Sequence, residues 1–102
     1  MMIKFMQLGK NPVTGEDNEK DTWELINKDF KEESNEMLEA IQEGKLIHIA
    51  EETFDVIQVC IRSLVLLKKN GINLEVENKQ HNKKLVKRRW NYLRFIRVFW
   101  DK

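Results

Sequence analysis

The sequence predicts an all-α protein: an antiparallel helical hairpin followed by a third helix, with the helical bundle completed by oligomerisation. Apolar residues recur at intervals of three and four along much of the chain, which is the period of a helix. The 102 residues include one proline and four glycines, and so few chain-breaking residues are more typical of long helices than of a β-sandwich. This length allows about one domain, and the core of so short a chain is often completed by partner subunits.

The first helix is predicted over residues 23–43. Residues 9–20 contain several turn-forming pairs and are expected to form a loop, after which Asp21 or Thr22 can cap the helix. Gly44 is the natural residue to end it. Five apolar residues mark its inner face: Trp23, Ile26, Phe30, Met37 and Ile41.

The second helix is predicted over residues 46–69. From Val56 onward its apolar residues cover the whole circumference, and a helix that is apolar all round is buried on several sides. Because a two-helix hairpin cannot bury such a helix, we expect a bundle of more than one chain, either a homodimer or a homotetramer.

The third helix is predicted over residues 74–90, with Asn73 as its cap. Residues 94–100 are aromatic and basic and could form a short strand or a helical tail. Residues 2–8 alternate in a way that could pair with them, so short terminal strands are one expectation. These elements divide the chain into an N-terminal extension and loop at residues 1–21, a helical domain at 22–90 and a basic-aromatic tail at 91–102.

Charge, cysteine content and hydropathy narrow the classes of function. The net charge is +1, but residues 16–55 carry fourteen acids and four bases, whereas residues 79–97 carry eight bases and no acid. One part of the chain is therefore suited to cations and the other to anions. The one cysteine, Cys60, excludes a disulfide framework and favours a reducing, cytoplasmic setting. Residues 56–67, the longest apolar stretch, are too short and too polar to cross a bilayer, so no membrane partner is expected.

Four acidic residues are arranged symmetrically about the predicted turn. They form two pairs at a spacing of three, which places each pair on one face of a helix: Glu33 with Glu36, and Glu52 with Asp55. Glu36 and Glu52 both lie eight residues from Gly44. Glu33 and Asp55 both lie eleven residues from it. An antiparallel hairpin would therefore bring four carboxylates together at one level.

The directions of these acids favour a metal site. At about 100° per residue, Glu33 falls inside the apolar stripe of the first helix, whereas Glu32 points away from it. Acids on an apolar face are costly unless something pairs with them, and a hard divalent cation also relieves their mutual repulsion. We predict Mg²⁺, with Mn²⁺ as an alternative ion. The alternative without a metal is a salt-bridged bundle that uses Lys28, Lys31 and Lys45.

At these residues the sequence resembles the MazG-like nucleoside triphosphate pyrophosphohydrolases of the all-α NTP pyrophosphatase superfamily. Their signature is EExxE, a spacer, then ExxD. Here it reads Glu32-Glu33-x-x-Glu36, fifteen residues, then Glu52-x-x-Asp55. The resemblance implies that Mg²⁺ is bound by the same four residues that the helical directions select, namely Glu33, Glu36, Glu52 and Asp55.

The resemblance, which covers roughly residues 23–90, also implies an activity and an assembly. The activity is hydrolysis of a nucleoside triphosphate between the α and β phosphates to a monophosphate and pyrophosphate, and the assembly is a dimer or tetramer. Glu32 or Glu36 would orient or deprotonate the attacking water. The family's basic segment, K-x-x-N…R-G-W/Y, is matched with Arg89 in place of the usual glycine. The implied substrate contacts are Lys79, Asn82, Lys83 and Arg88, with Trp23 either stacking on the base or lying in the core.

Other functions stay open on the residues alone. The bases and aromatic residues of 79–97 could bind nucleic acid, but this leaves the inward acids without a role, so no nucleic-acid partner is expected. A purely structural oligomer would bind no divalent cation. Phosphoribosyl-ATP hydrolysis, a sister activity in the superfamily, ranks below hydrolysis of a nucleoside triphosphate. His48, one turn before Glu52, could support the metal site or lie on the surface.

Overall fold

The computed structural model of the chain describes residues 1–101 and contains three α-helices and a short 3₁₀-helix. These are α1 (Trp23–Glu43), α2 (Leu46–Lys69), α3 (Leu74–Lys87) and the 3₁₀-helix Asn18–Lys20. The described residues form no β-strand, only an isolated bridge between Lys10 and Asp17. The all-α prediction is therefore confirmed. The expectation of short terminal strands is wrong, because residues 2–8 and 94–100 are both irregular.

The ends of α1 lie where the sequence predicts them. The Thr22 hydroxyl accepts a hydrogen bond from the Leu25 N–H at 3.2 Å, so Thr22 is the N-cap. At the other end Gly44 has a φ of 74°, and its N–H donates to the carbonyls of Ala40 and Ile41. Residues with a Cβ are strained in this left-handed conformation, which is why glycine suits the end of the helix.

Helices α1 and α2 pack against each other as a hairpin within a compact unit, Met1–Ile72, and a second unit begins at Asn73. Within the described chain the buried hydrophobic side chains are those of Ile26, Ala40 and Val59. Most apolar residues of α2 stay half-buried, as expected for a helix that is apolar all round but has one neighbour. None of the described helices is long and apolar enough to cross a membrane.

An arginine on α2 fixes the start of α1. Arg62 donates from Nε and Nη2 to both carboxylate oxygens of Asp21, at 2.6 and 2.7 Å, and from Nη1 to Asp29 at 2.7 Å. The hydrogen bonds that Arg62 donates to Asp21 raise the pKa of the guanidinium above its ordinary value, so it stays charged. Bidentate, charge-assisted hydrogen bonds of this kind are among the stronger polar contacts in proteins. They hold the first turns of α1 against the second half of α2.

The N-terminal segment lies against α2. The rings of Phe5 and Phe54 meet edge to face, with centroids 5.7 Å apart. The Gln58 side-chain amide donates to the Met6 carbonyl at 3.0 Å. Residues 1–8 are therefore attached to the helix by side chains rather than by strand pairing.

The second unit contains α3, which ends three residues earlier than the sequence predicts. The Asn73 side chain caps its start by accepting from the Val76 N–H at 3.2 Å. At its end Arg89 has a φ of 67°, and the Trp90 N–H bonds back to the Leu85 carbonyl at 3.1 Å. This pattern closes a helix through a left-handed residue that is usually glycine. Because arginine and not glycine occupies this position, the sequence did not indicate that the helix ends here.

Candidate metal centre

The structure brings the four predicted carboxylates together between α1 and α2. Glu33, Glu36, Glu52 and Asp55 each offer one oxygen, and these oxygens all lie within 4.8 Å of one another. The geometry follows from equal spacing about Gly44, because residues at equal distances from a tight turn face each other in an antiparallel hairpin. That the four bind a metal ion stays a prediction.

The group has an inner and an outer pair. Glu33 and Glu52 are half-buried, whereas Glu36 and Asp55 are exposed. The inner oxygens Glu33 Oε2 and Glu52 Oε2 are shielded from solvent and have no hydrogen-bond partner. A shielded polar atom without a partner is unfavourable, and more so when it is charged. A cation between the two pairs would supply the missing partner.

Crowding of negative charge perturbs the inner pair. Burial, and then the charge and hydrogen bond of Glu36, raise the pKa of Glu33 to about 7 from an ordinary 4.5. Burial, followed by the same effects of Glu36 and the charge of Asp55, also raises the pKa of Glu52. Two adjacent acids that both resist ionisation indicate a site where positive charge is lacking.

The donor set fits a hard divalent cation. All four candidate ligands are carboxylates, and Mg²⁺, Mn²⁺ and Ca²⁺ prefer oxygen ligands of this kind. The alternative of a salt-bridged bundle is wrong for the predicted lysines. The ion pairs within residues 1–101 are made by His48 and Arg62, not by Lys28, Lys31 or Lys45.

His48 contacts one member of the inner pair, Glu52. Its Nε2 lies 3.3 Å from Glu52 Oε1, and its Nδ1 lies 3.0 Å from Glu43 Oε2. The hydrogen bond with Glu43 is the largest effect that raises the pKa of His48. The sequence left His48 between a supporting and a surface position, and the structure places it against Glu52. The useful signal was its spacing of four residues from that acid.

A cavity of about 410 Å³ adjoins the carboxylate group and shares Glu33 and Asp55 with it. Glu32 also lines this cavity although it is outside the group of four acids. Gln58, one turn after Asp55, is a further lining residue that the sequence analysis did not select. Its spacing of three from Asp55, a member of the carboxylate group, is the signal that could have identified it.

The remaining predicted site residues are exposed. Trp23 keeps 47% of its surface accessible, so the interpretation of Trp23 as a core residue is wrong for the single chain. Its stacking on a base stays a prediction. The predicted substrate contacts of the second unit, which also stay predictions, all have exposed side chains: Lys79, Asn82, Lys83 and Arg88.

The fold and the site together define a class, namely all-α hairpin proteins whose grouped carboxylates can hold a divalent cation beside a cavity. A scan against protein families matches residues 6–84 to the family described as PRA-PH, phosphoribosyl-ATP pyrophosphohydrolase. The chain belongs to this family, which is related to the MazG-like proteins. Membership supports a hydrolase that acts on phosphoric anhydrides and uses a divalent metal.

The family match covers the four acids together with Lys79, Asn82 and Lys83, and it ends before Arg88. Searches of curated proteins and of solved structures gave no significant match.

Proposed function

We propose that the protein is a Mg²⁺-dependent pyrophosphohydrolase of the MazG-like type, which cleaves a nucleoside or deoxynucleoside triphosphate between the α and β phosphates. The observation that carries this proposal is the convergence of four carboxylates within 4.8 Å, with two shielded oxygens that lack a partner. Mn²⁺ is an alternative ion, because it shares the preference of Mg²⁺ for oxygen ligands.

Metal binding and proton transfer would be carried out by acidic residues of the chain. Glu33 and Glu52 on the inner side, with Glu36 and Asp55 on the outer side, would hold the cation. The bound cation would neutralise phosphate charge and help to fix the triphosphate in place. Glu32 or Glu36 would accept a proton from the attacking water as the bond to the leaving pyrophosphate breaks.

Two observations bear on the choice of general base. Glu32 lines the cavity and is not one of the four grouped acids, so it can take a proton without giving up a metal ligand. Glu36 is exposed and belongs to the group. Glu32 is therefore the better candidate in this proposal. His48 would keep Glu52 oriented through its contact at 3.3 Å.

A second candidate substrate is phosphoribosyl-ATP. It is favoured by the name of the matched family, and its hydrolysis would use the same carboxylates. Nucleoside triphosphates and phosphoribosyl-ATP share the anhydride bond between the α and β phosphates, so the metal centre alone does not discriminate between them.

The test of the proposed function is release of pyrophosphate from a panel of ribo- and deoxyribonucleoside triphosphates and phosphoribosyl-ATP. We expect release with Mg²⁺ or Mn²⁺ and none with excess chelator, because four unneutralised carboxylates would repel the triphosphate. Absence of release from every compound by folded protein at high concentration would contradict the proposal.

The assembly is a further part of the proposal. Large apolar side chains on both hairpin helices remain over 40% exposed, including Phe30, Ile41 and Phe54. An apolar surface of this kind on a chain with a small core is suited to burial against a second copy. We expect sedimentation equilibrium to give the mass of a homodimer or homotetramer, and a monomer at micromolar concentration would rule this out.

A further inference from the structure

The cavity beside the carboxylate group is strongly negative. Seven acidic and two basic side chains line it. Of the two basic side chains, Arg62 is already neutralised by ion pairs with Asp21 and Asp29. Lys69 donates to the Glu19 carbonyl at 3.2 Å. The acids of the wall therefore outnumber its bases, and Lys69 is the lining base whose charge is not neutralised by an ion pair within residues 1–101.

The cavity starts at the carboxylate group, where the proposed function places the phosphates of the substrate. It begins at Glu33 and Asp55 and continues along α2 as far as Lys69. At about 1.5 Å per residue this path is roughly 20 Å long. Its volume of about 410 Å³ lies within the range of small-molecule sites. This space adjoins the acids and is large enough for the part of a nucleotide that lies beyond its phosphates.

One polar group in the cavity wall lacks a partner. The side-chain oxygen of Gln58, Oε1, is shielded and accepts no hydrogen bond, while its Nε2 is held by the Met6 carbonyl. A shielded acceptor without a donor is unfavourable, because it has given up its hydrogen bond to water. A hydroxyl or amine of a ligand that reached this oxygen would satisfy it.

We propose that this cavity receives the nucleoside of a triphosphate substrate, that Gln58 accepts a hydrogen bond from it, and that the negative wall disfavours a second phosphate beyond the nucleoside. The proposal rests on the proposed function and narrows its substrate class. Phosphoribosyl-ATP carries such a phosphate on its additional ribose, away from the triphosphate. Like charges brought together across a binding surface are strongly unfavourable.

The first experiment compares kcat/KM for pyrophosphate release from ATP, dATP and phosphoribosyl-ATP. We expect either triphosphate to exceed phosphoribosyl-ATP by at least about tenfold, the effect of about 1.4 kcal/mol. Glu19→Lys places a positive charge in the wall and should shift this ratio toward phosphoribosyl-ATP at least about fivefold. Glu24→Lys, an identical charge change on an acid that does not line the cavity, is the matched control.

A wild-type preference for phosphoribosyl-ATP, or comparable rates for both, would overturn the proposed charge selection while leaving the hydrolytic function intact. An unchanged ratio in Glu19→Lys would also overturn the proposed charge selection. Pyrophosphate release from none of the compounds would instead defeat the proposed function, and the binding measurement with a monophosphate would still test the cavity.

That measurement is calorimetric titration with AMP and dAMP. We expect Gln58→Leu, which keeps the size of the side chain but removes the acceptor, to weaken binding about tenfold. Its Mn²⁺ affinity should stay unchanged, because Gln58 is not in the carboxylate group. Gln42→Leu, an exposed position on α1, is the matched control. Equal affinity of Gln58→Leu and wild type for both monophosphates would remove Gln58 from the site.

Discussion

Glu52→Gln is expected to reduce pyrophosphate release at least about 100-fold, the scale of losing one group that stabilises transition-state charge. Glu52 contributes a half-buried carboxylate whose Oε2 has no partner in the protein. The amide has the same shape but no negative charge, so the cation loses a ligand. The helices should remain, because the substitution also removes repulsion from Glu36 and Asp55.

Three measurements separate these effects: pyrophosphate release, circular dichroism and calorimetric titration with Mn²⁺. Glu51→Gln is the matched control. Glu51 is the exposed neighbour of Glu52, and its substitution makes the same chemical change outside the carboxylate group. We expect wild-type rates for Glu51→Gln. A Glu52→Gln protein that keeps both its rate and its Mn²⁺ affinity would remove Glu52 from the metal centre.

Metal affinity is expected to rise roughly 50-fold between pH 5 and pH 7, provided the cation binds only the ionised form of Glu33. The raised pKa of Glu33, about 7, means that a proton must leave before the cation can bind. Calorimetric titration with Mn²⁺ at several pH values measures this directly. In Glu33→Gln the dependence should be much weaker, and a flat profile in the wild type would contradict the assignment.

The same group makes the stability of the metal-free protein depend on pH. The pKa of Glu33 is raised above its unfolded value of 4.5, so the folded protein holds this proton more tightly than the unfolded chain. The resulting contribution to the free energy of unfolding is fully present below pH 4.5 and is lost as the pH rises through 7. The raised pKa of His48 acts in the same direction above pH 6.5. We expect the melting temperature in chelator to fall between pH 5 and 8, and saturating Mn²⁺ to oppose the fall. A melting temperature that rises over this interval in chelator would contradict this prediction.

Local chemistry made most of the fold predictable. Thr22 and Gly44 bound α1 through contacts with residues at most four positions away, and Asn73 begins α3 in the same way. Such short-range signals are present in the sequence itself. The end of α3 was misplaced because Arg89 adopts a left-handed conformation that glycine usually provides.

The sequence by itself determined the three helices and the register that brings Glu33 and Glu36 opposite Glu52 and Asp55, because helical periodicity and spacing about Gly44 depend only on near neighbours. The tertiary structure decided which carboxylate oxygens are shielded. It also decided the contact between Arg62 and Asp21, 41 residues apart, and the attachment of Gln58 to Met6, 52 residues apart. Pairings over such distances are decided by how the helices and the N-terminal segment pack, and no local pattern specifies them.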